Sequence, residues 1–204
     1  VEFASDGYSD MTVRGGGLGQ NQILLNGAPV YSLGHFEGYI SNFSSATAEE
    51  VVLYKAAFPA RYGGRLSSVM DVKSTAGNAL EAEADIAVSP VLGNFKVGLP
   101  VGNGNSLGVT FRRSYIDLLL DVADQELFYR DFSGKLDLNL NPKNKLTLSY
   151  YSLKDKIKVS GSEFNDTNTS VKELDFTFDI TVKNQTTSAD WLHIFDKKTT
   201  ANCC

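Results

Sequence analysis

The feature that most constrains this chain is a strict alternation of apolar and polar residues, which begins near residue 79 and continues almost to the end. In "LGVTFRR" (107–113), for example, Leu107, Val109 and Phe111 are each separated by a smaller or more polar residue. Side chains of a β-strand point alternately to its two faces, so this period indicates strands with one apolar and one polar face. The alternation predicts strands near 80–89, 94–101, 106–113, 131–141, 145–158, 172–195 and 199–204.

The connections between these predicted strands also follow a pattern. "GNGN" (102–105), "NPKN" (141–144) and "DKK" (196–198) are short, whereas 114–130 and 159–170 are long and polar. Short turns at one rim and long loops at the other are typical of an outer-membrane β-barrel. A soluble β-sandwich binding or interaction domain shows the same alternation and is the alternative. The carboxylates and amides of the polar face and the length of the 172–195 strand favour the barrel.

Residues 1–77 and the 172–195 strand depart from the simple alternation of the later strands. Residues 1–77 are rich in glycine and turn signals, and Asn26-Gly27 between apolar runs predicts a type I′ hairpin turn. We therefore predict an α+β domain at 1–77 and barrel strands at 78–204. Within 172–195, the apolar residues Trp191, Leu192 and Ile194 cannot all share one face, which predicts a β-bulge after Asn184.

Composition excludes several classes of protein. The net charge is −5, which leaves no basic face for nucleic acid. No apolar run approaches the roughly 20 residues of a membrane-spanning helix. The only cysteines, Cys203 and Cys204, are adjacent and offer neither a disulfide framework nor metal-ligand spacing.

We predict no catalytic residue, metal site or cofactor, and therefore no enzyme. His35 and His193 lack a second histidine or clustered carboxylates at ligand spacing, and no nucleophile–base pair is visible. "YSLGHFEGYIS" (31–41) instead combines glycines with aromatic surface, a mixture that suits a concave site for a large, partly apolar ligand. The predicted ligand-binding residues are Tyr31, His35, Phe36 and Tyr39.

Aromatic residues recur along the later strands. Phe128, Tyr129, Tyr150, Tyr151 and Trp191 predict an aromatic girdle at a membrane interface. The preference of aromatic residues for strands is the alternative explanation.

Four stretches together resemble one protein family. They are "VRGGG" (13–17), "NQILLNGAPVY" (21–31), "AEEVVLYKAAFPARYGGRLSSVMDVKS" (48–74) and "FRRSYIDLL" (111–119). In this order they resemble the second half of the plug and the first barrel strands of a TonB-dependent outer-membrane receptor. The resemblance implies an α+β plug domain followed by antiparallel transmembrane β-barrel strands, as a fragment of a barrel of roughly 22 strands.

The resemblance also implies a function and partners. Receptors of this family lie in the bacterial outer membrane, in contact with its lipid, and import a scarce ligand such as a siderophore, cobalamin, peptide or glycan. The TonB protein powers the import through a segment that precedes the plug, which we expect to lie outside this chain. We likewise expect the remaining strands to follow Cys204. "YKAAFPARYGG" (54–64) differs from the "LKDAS…YG" wording of the starch-utilisation-type glycan importers, which disfavours that branch.

The last prediction concerns charges between plug and barrel. A charge held there loses hydration, and a carboxylate within reach restores favourable contacts. Three arginines of the first 77 residues are predicted to pair with acids of the first barrel strands. The residues are Arg14, Arg61 and Arg65, with Glu81, Glu83, Asp85 and Asp137 as partners.

Overall fold

The structure, a computed structural model, consists almost entirely of β-strands. It describes residues 2–3, 11–31, 34–36, 38–120, 125–163, 174–195 and 200–203. The first domain contains β1 Glu2–Phe3, β2 Met11–Thr12, β3 Asn21–Leu25, β4 Ala28–Pro29, β5 Gly34–His35, β6 Ile40–Ser41, β7 Ala48–Tyr54 and β8 Ser68–Ser74. The remainder contains β9 Glu83–Val88, β10 Leu92–Pro100, β11 Ser106–Ser114, helix α1 Ile116–Leu120, β12 Glu126–Asn141, β13 Asn144–Glu163, β14 Leu174–Ile194 and β15 Thr200–Cys203.

The first domain is built on a four-stranded mixed sheet in the order β4-β3-β8-β7. Strands β3 and β8 run parallel at its centre, while β4 and β7 pair antiparallel on either side. The predicted hairpin turn between β3 and β4 is confirmed, because both Asn26 and Gly27 have positive φ, +51° and +83°. Ile23 and Leu25 of β3 pack with Val72 of β8 in the buried core.

Strands β9 to β15 form one antiparallel sheet, which we call the wall, and each strand pairs with the next along the chain. Strand β13 has 20 residues and β14 has 21, so both exceed the usual length in globular proteins. Their register is unbroken from Asn144 opposite His193 to Glu163 opposite Leu174. The predicted bulge after Asn184 is therefore wrong. Trp191 and Leu192 simply lie on opposite faces of a regular strand. Among the described residues, no helix has the length and apolar character that crossing a bilayer requires.

Against the first domain the wall buries mostly polar side chains, although Tyr151 and Leu153 of β13 also face inward and join the hydrophobic core. On β11 the inward face, which packs on the first domain, carries Thr110, Arg112 and Ser114, all at most 5% exposed. The outward face carries Phe111, which is 41% exposed. A soluble sandwich buries the apolar faces of its sheets against each other. The wall has the opposite arrangement, which suits a sheet whose outward face contacts lipid.

The predicted aromatic girdle is divided between these two faces. Tyr150 and Trp191 lie on the outward face and are 38% and 49% exposed. Tyr129 and Tyr151, by contrast, are 1% exposed on the inward face, so the girdle prediction is wrong for them. Their alternating position along β12 and β13 places them against the first domain.

The chain passes from the first domain into the wall through a close crossing. Residues 75–77 run over Gly98 of β10 and Gly108 of β11, which are paired in register and which we call the glycine notch. A Cβ atom on Gly98 would lie 2.8 Å from the Cα of Gly77, and one on Gly108 would lie 2.6 Å from the carbonyl oxygen of Thr75. The notch therefore has room for glycine alone.

A side chain of the wall fixes the same crossing. Lys135 of β12 donates a hydrogen bond of 2.8 Å from Nζ to the carbonyl oxygen of Ser74. Ala76 is 6% exposed, so the crossing is covered by the wall. These contacts fix the first domain to the wall immediately after β8 ends.

Candidate functional site

The contact between the first domain and the wall is centred on His35, the fully buried end of a very short strand. Strands β5 and β6 have two residues each and form a hairpin in which Gly34 pairs with Ser41 and His35 with Ile40. The tight turn between them needs positive φ, which Phe36 and Gly38 supply. The hairpin thereby carries the His35 ring into the inward face of the wall.

Both ring nitrogens of His35 face carboxylates. Nδ1 lies 2.5 Å from Oδ1 of Asp155, and Nε2 lies 2.9 and 3.0 Å from the two carboxylate oxygens of Asp131. A carboxylate only accepts hydrogen bonds when it is ionised, so both nitrogens are placed to donate. Only the protonated imidazolium form of histidine donates from both nitrogens. The two carboxylates therefore favour a positively charged His35, whereas Nη2 of Arg112, 3.1 Å from Nε2, opposes that charge.

Arg112 connects the same site to a third wall strand. Its Nε donates a 2.7 Å hydrogen bond to Oδ2 of Asp131, and its Nη2 donates to the same carboxylate oxygen. Nη2 also donates to the carbonyl oxygens of Ser41 and Asn42, each at 2.9 Å. One guanidinium thus holds a wall carboxylate and the backbone of the hairpin together. We call His35, Arg112, Asp131 and Asp155 the His35 cluster.

Aromatic rings enclose the His35 cluster. The ring of Tyr129 stacks on that of His35 with centroids 4.0 Å apart and planes inclined by 19°. Phe36 meets Tyr129 edge-on at 5.6 Å, and its backbone N–H donates to Oδ2 of Asp155 at 3.1 Å. Tyr151 donates from its hydroxyl to the carbonyl oxygen of Asn42 at 3.4 Å. The rings keep water from the charges and so strengthen their attraction.

The charges of the His35 cluster balance when His35 is protonated. Burial lowers the pKa of His35, but the hydrogen bonds and negative charges of Asp131 and Asp155 outweigh it and raise that pKa above its ordinary value. Two carboxylates then face two cations, His35 and Arg112. Removing one partner of a buried set of this kind costs about 3–5 kcal/mol, because an uncompensated charge stays behind. The arrangement is suited to holding two parts of a protein together.

A family model described as "TonB-dependent Receptor Plug Domain" matches residues 1–69. Residues 1–69 are therefore similar to the plug domain of TonB-dependent receptors. The matched residues include β3, the hairpin of β5 and β6, and the start of β8. No curated protein and no solved structure matches the chain. The family comprises receptors and transporters of the bacterial outer membrane, and the strand-rich wall is compatible with its β-barrel. His35 lies within the matched residues, and its partners lie on strands that follow them.

The four predicted ligand-binding residues of the plug have different surroundings. Tyr31 and Tyr39 are 77% and 56% exposed, and they remain predictions. Phe36 is half-buried against Tyr129. His35 has no exposed surface that could contact a ligand, so we assign it to the contact between plug and wall instead.

The predicted acids have nearer partners within the wall. Lys96 on the neighbouring strand lies 3.3 Å from Glu83, and Lys145 lies 3.0 Å from Asp137. Glu81 and Asp85 are exposed. Glu83 and Asp137 are therefore balanced without an arginine from the plug, and Glu81 and Asp85 lie in contact with solvent.

The three arginines predicted to pair with these acids lie in other environments. Arg61 donates a 2.5 Å hydrogen bond to the hydroxyl of Tyr62, which in turn donates to Asp71 of β8. Arg14 and Arg65 are exposed. In the described part of the chain, none of the three arginines forms an ion pair with the acids predicted for it. The plug and the wall are instead joined by Arg112 of the wall and His35 of the plug.

Sequence reasoning did not identify Arg112, Asp131, Asp155 and Tyr129 as site residues. One signal was present for three of them, because the alternation places Arg112, Asp131 and Asp155 on the polar face of the predicted strands, whereas Tyr129 lies in the predicted loop 114–130. On β11 that face otherwise carries small residues such as Ser106, Gly108 and Thr110. A long charged side chain among small neighbours on an inward face was the available sign of a contact with the plug.

Proposed function

We propose that this chain is part of an outer-membrane receptor that imports a scarce ligand through a barrel closed by the plug. The observation that carries the proposal is the pairing of a matched plug with a wall whose strand β11 buries polar side chains against the plug and exposes Phe111 on its outward face. The plug extends to residue 77 and the barrel strands begin at 78 in this proposal. The barrel has roughly 22 strands, of which the wall supplies the first.

In the proposed cycle the His35 cluster holds the plug against the wall while no ligand is bound. Import requires a path beside or through the plug, so this contact must weaken during each cycle. Its buried charges make spontaneous opening rare, since separating them exposes uncompensated groups. The energy for opening is proposed to come from the TonB protein.

The proposed ligand contacts are the exposed aromatic residues next to the hairpin. Tyr31 precedes it, and Tyr39 lies in its turn, so both are held by a scaffold that His35 fixes to the wall. Aromatic side chains with one polar atom suit a large, partly apolar ligand such as a siderophore, cobalamin or a peptide. A glycan stays a possible ligand class because aromatic rings also stack on sugar faces.

An uptake experiment tests this function. The full-length receptor is produced in a bacterial strain that lacks its own copy, and the uptake of labelled siderophores, cobalamin, peptides and oligosaccharides is measured with and without functional TonB. We expect the protein in the outer-membrane fraction and TonB-dependent uptake of one ligand class. The double variant Y31A/Y39A should reduce uptake at least tenfold while its amount in the membrane is unchanged. A full-length protein found in the soluble fraction would support the β-sandwich alternative and overturn the proposal.

A further inference from the structure

A row of basic side chains crosses the outward face of the wall. Arg113 of β11 lies opposite Arg130 of β12, which lies opposite Lys154 of β13, which lies opposite Lys183 of β14. Neighbouring strands are about 4.8 Å apart, so the four cations follow one another across roughly 14 Å. Like charges directly opposite each other destabilise a sheet. The row therefore weakens the wall unless something negative lies against it.

Most of this row has no carboxylate partner. Arg113 pairs with Asp117 at 3.0 Å, and one step further along the same face Lys156 pairs with Asp179. Within the described residues, no salt bridge involves Arg130, Lys154 or Lys183. Lys154 lies over the ring of Phe128 at 5.3 Å, which leaves its ammonium group able to contact an anion. These three cations form an unbalanced positive patch, which we call the basic row.

The basic row lies directly beside apolar surface. Toward the short turns, the next outward residues on β11 and β12 are Phe111 and Phe132, and on β13 Tyr150 follows Ser152; the three rings are 38–41% exposed. A shallow depression is lined by these three aromatic residues together with the basic row. A ligand that fits has an anionic end against the cations and an apolar end against the rings.

The depth of the basic row is that of a lipid headgroup. Lys154 is ten residues from Asn144, where β13 begins at the short turn, which is about 33 Å along the strand. With the usual tilt of about 40° this corresponds to roughly 25 Å along the membrane normal, the height of the apolar band of such barrels. The row therefore lies where the apolar band ends on the long-loop side, which faces the cell exterior in this class of protein.

We infer that Arg130, Lys154 and Lys183 bind the phosphate group of a lipid headgroup in the outward-facing leaflet, while its acyl chains cover Phe111, Phe132 and Tyr150. The inference rests on the proposed function, because it places the outward face in a membrane. Two neighbouring cations share the oxygens of one phosphate, and this removes the repulsion within the row. The bound lipid thus stabilises the first strands of the barrel.

Lipid binding by the full-length receptor in a neutral detergent tests the inference. The probe is fluorescent phosphatidic acid, compared with phosphatidylcholine of the same acyl chains. The variant K154Q/K183Q should weaken phosphatidic acid binding roughly 30-fold, because each of the two lysines it removes attracts the anionic headgroup and contributes about a fivefold to sixfold factor in affinity. The control K55Q/K143Q removes the same charge from exposed positions away from the basic row and should stay within twofold of the wild type.

Three outcomes would overturn the inference. The first is equal affinity for phosphatidic acid and phosphatidylcholine, and the second is equal weakening of binding by both variants. The third is full competition by inorganic phosphate at the concentration of the lipid, which would indicate a site for the free anion. Insertion of the wild type into phosphatidylcholine vesicles is measured separately. Failure to insert contradicts the proposed function, whereas insertion without preference for phosphatidic acid contradicts only the basic row as a lipid site.

Discussion

His35 of the plug and Asp155 of β13 lie 120 residues apart in the chain and are joined by a hydrogen bond of 2.5 Å. The substitution His35→Ala removes this bond and leaves two buried carboxylates facing Arg112 alone. We expect it to lower the free energy of separating plug and wall by about 3–5 kcal/mol. Hydrogen exchange of residues 34–41 in the full-length receptor measures the effect. His193→Ala is the control, because His193 bonds to Asn144 at a turn and contacts no carboxylate in the described structure. Unchanged exchange in His35→Ala would contradict the assigned role.

The contact should depend on pH through His35. Its pKa is raised in the folded state, so the charged form stabilises the fold below the unfolded pKa of about 6.5. This contribution is lost as the pH rises through the folded value. We expect the difference in unfolding free energy between wild type and His35→Gln to be larger at pH 6 than at pH 9. A difference that is constant or grows with pH would show that His35 is neutral in the plug.

Two adjacent arginines of β11 offer a matched comparison. Arg112 faces inward and is buried with Asp131, whereas Arg113 faces outward and pairs with the partly exposed Asp117. Arg112→Met should destabilise the receptor by about 3–5 kcal/mol because Asp131 loses its guanidinium partner. Arg113→Met should cost about 0–1 kcal/mol. Chemical denaturation in detergent gives both values, and equal costs would argue against the assigned faces.

The glycine notch predicts steric sensitivity at a position with no polar chemistry. In Gly108→Ala the new methyl group would meet the backbone of Thr75 and Ala76, which cannot move aside as a side chain can. We expect a loss of about 1–3 kcal/mol, as for other overpacked sites. Gly134→Ala on the neighbouring strand is the control, since its Cβ would make an ordinary contact of 3.7 Å with Phe132. Equal melting temperatures of the two variants would mean that residues 75–77 do not cross there.

Depth in the membrane can be tested on one face of one strand. Leu148 and Ser160 both lie on the outward face of β13, and in the proposed barrel only Leu148 lies within the apolar band. Leu148→Arg should reduce the free energy of folding into a bilayer by about 2–4 kcal/mol, and Ser160→Arg by about 0–1 kcal/mol. Folding into phosphatidylcholine vesicles from urea measures both. The opposite order would place the band elsewhere on the strand.

Local patterns in the sequence predicted much of the fold. The Asn26-Gly27 turn was predictable because positive φ at two successive positions requires such residues. The strand containing Leu107, Val109 and Phe111 was predictable because alternation follows directly from strand geometry. The side chains of β14 that face inward were harder to predict. Phe176, Phe178 and Val182 lie on the inward side, as their pairing with β13 shows. Their apolar character alone suggested the lipid-facing side.

The His35 cluster could not be assembled from the sequence. Its members lie 77 to 120 residues from His35 along the chain, and neither spacing nor composition connects residues at such separations. The predicted ion pairs between Arg61 and acids of the wall are absent from the described residues for a related reason. Acids on a strand are most easily balanced by lysines on the next strand, as Glu83 is by Lys96, and this leaves less need for a distant arginine.

The short crossing between β8 and β9 limits how far the plug can travel. Residues 75–82 separate the two strands, and eight residues reach at most about 28 Å when fully extended. While 75–77 stay in the glycine notch, only five residues remain, with a reach of roughly 17 Å. The 20 residues of β13 extend over about 50 Å along the barrel axis at the usual tilt. In the proposed barrel, the end of β8 therefore stays within about 28 Å of the start of β9, roughly half the height of β13, however the plug moves.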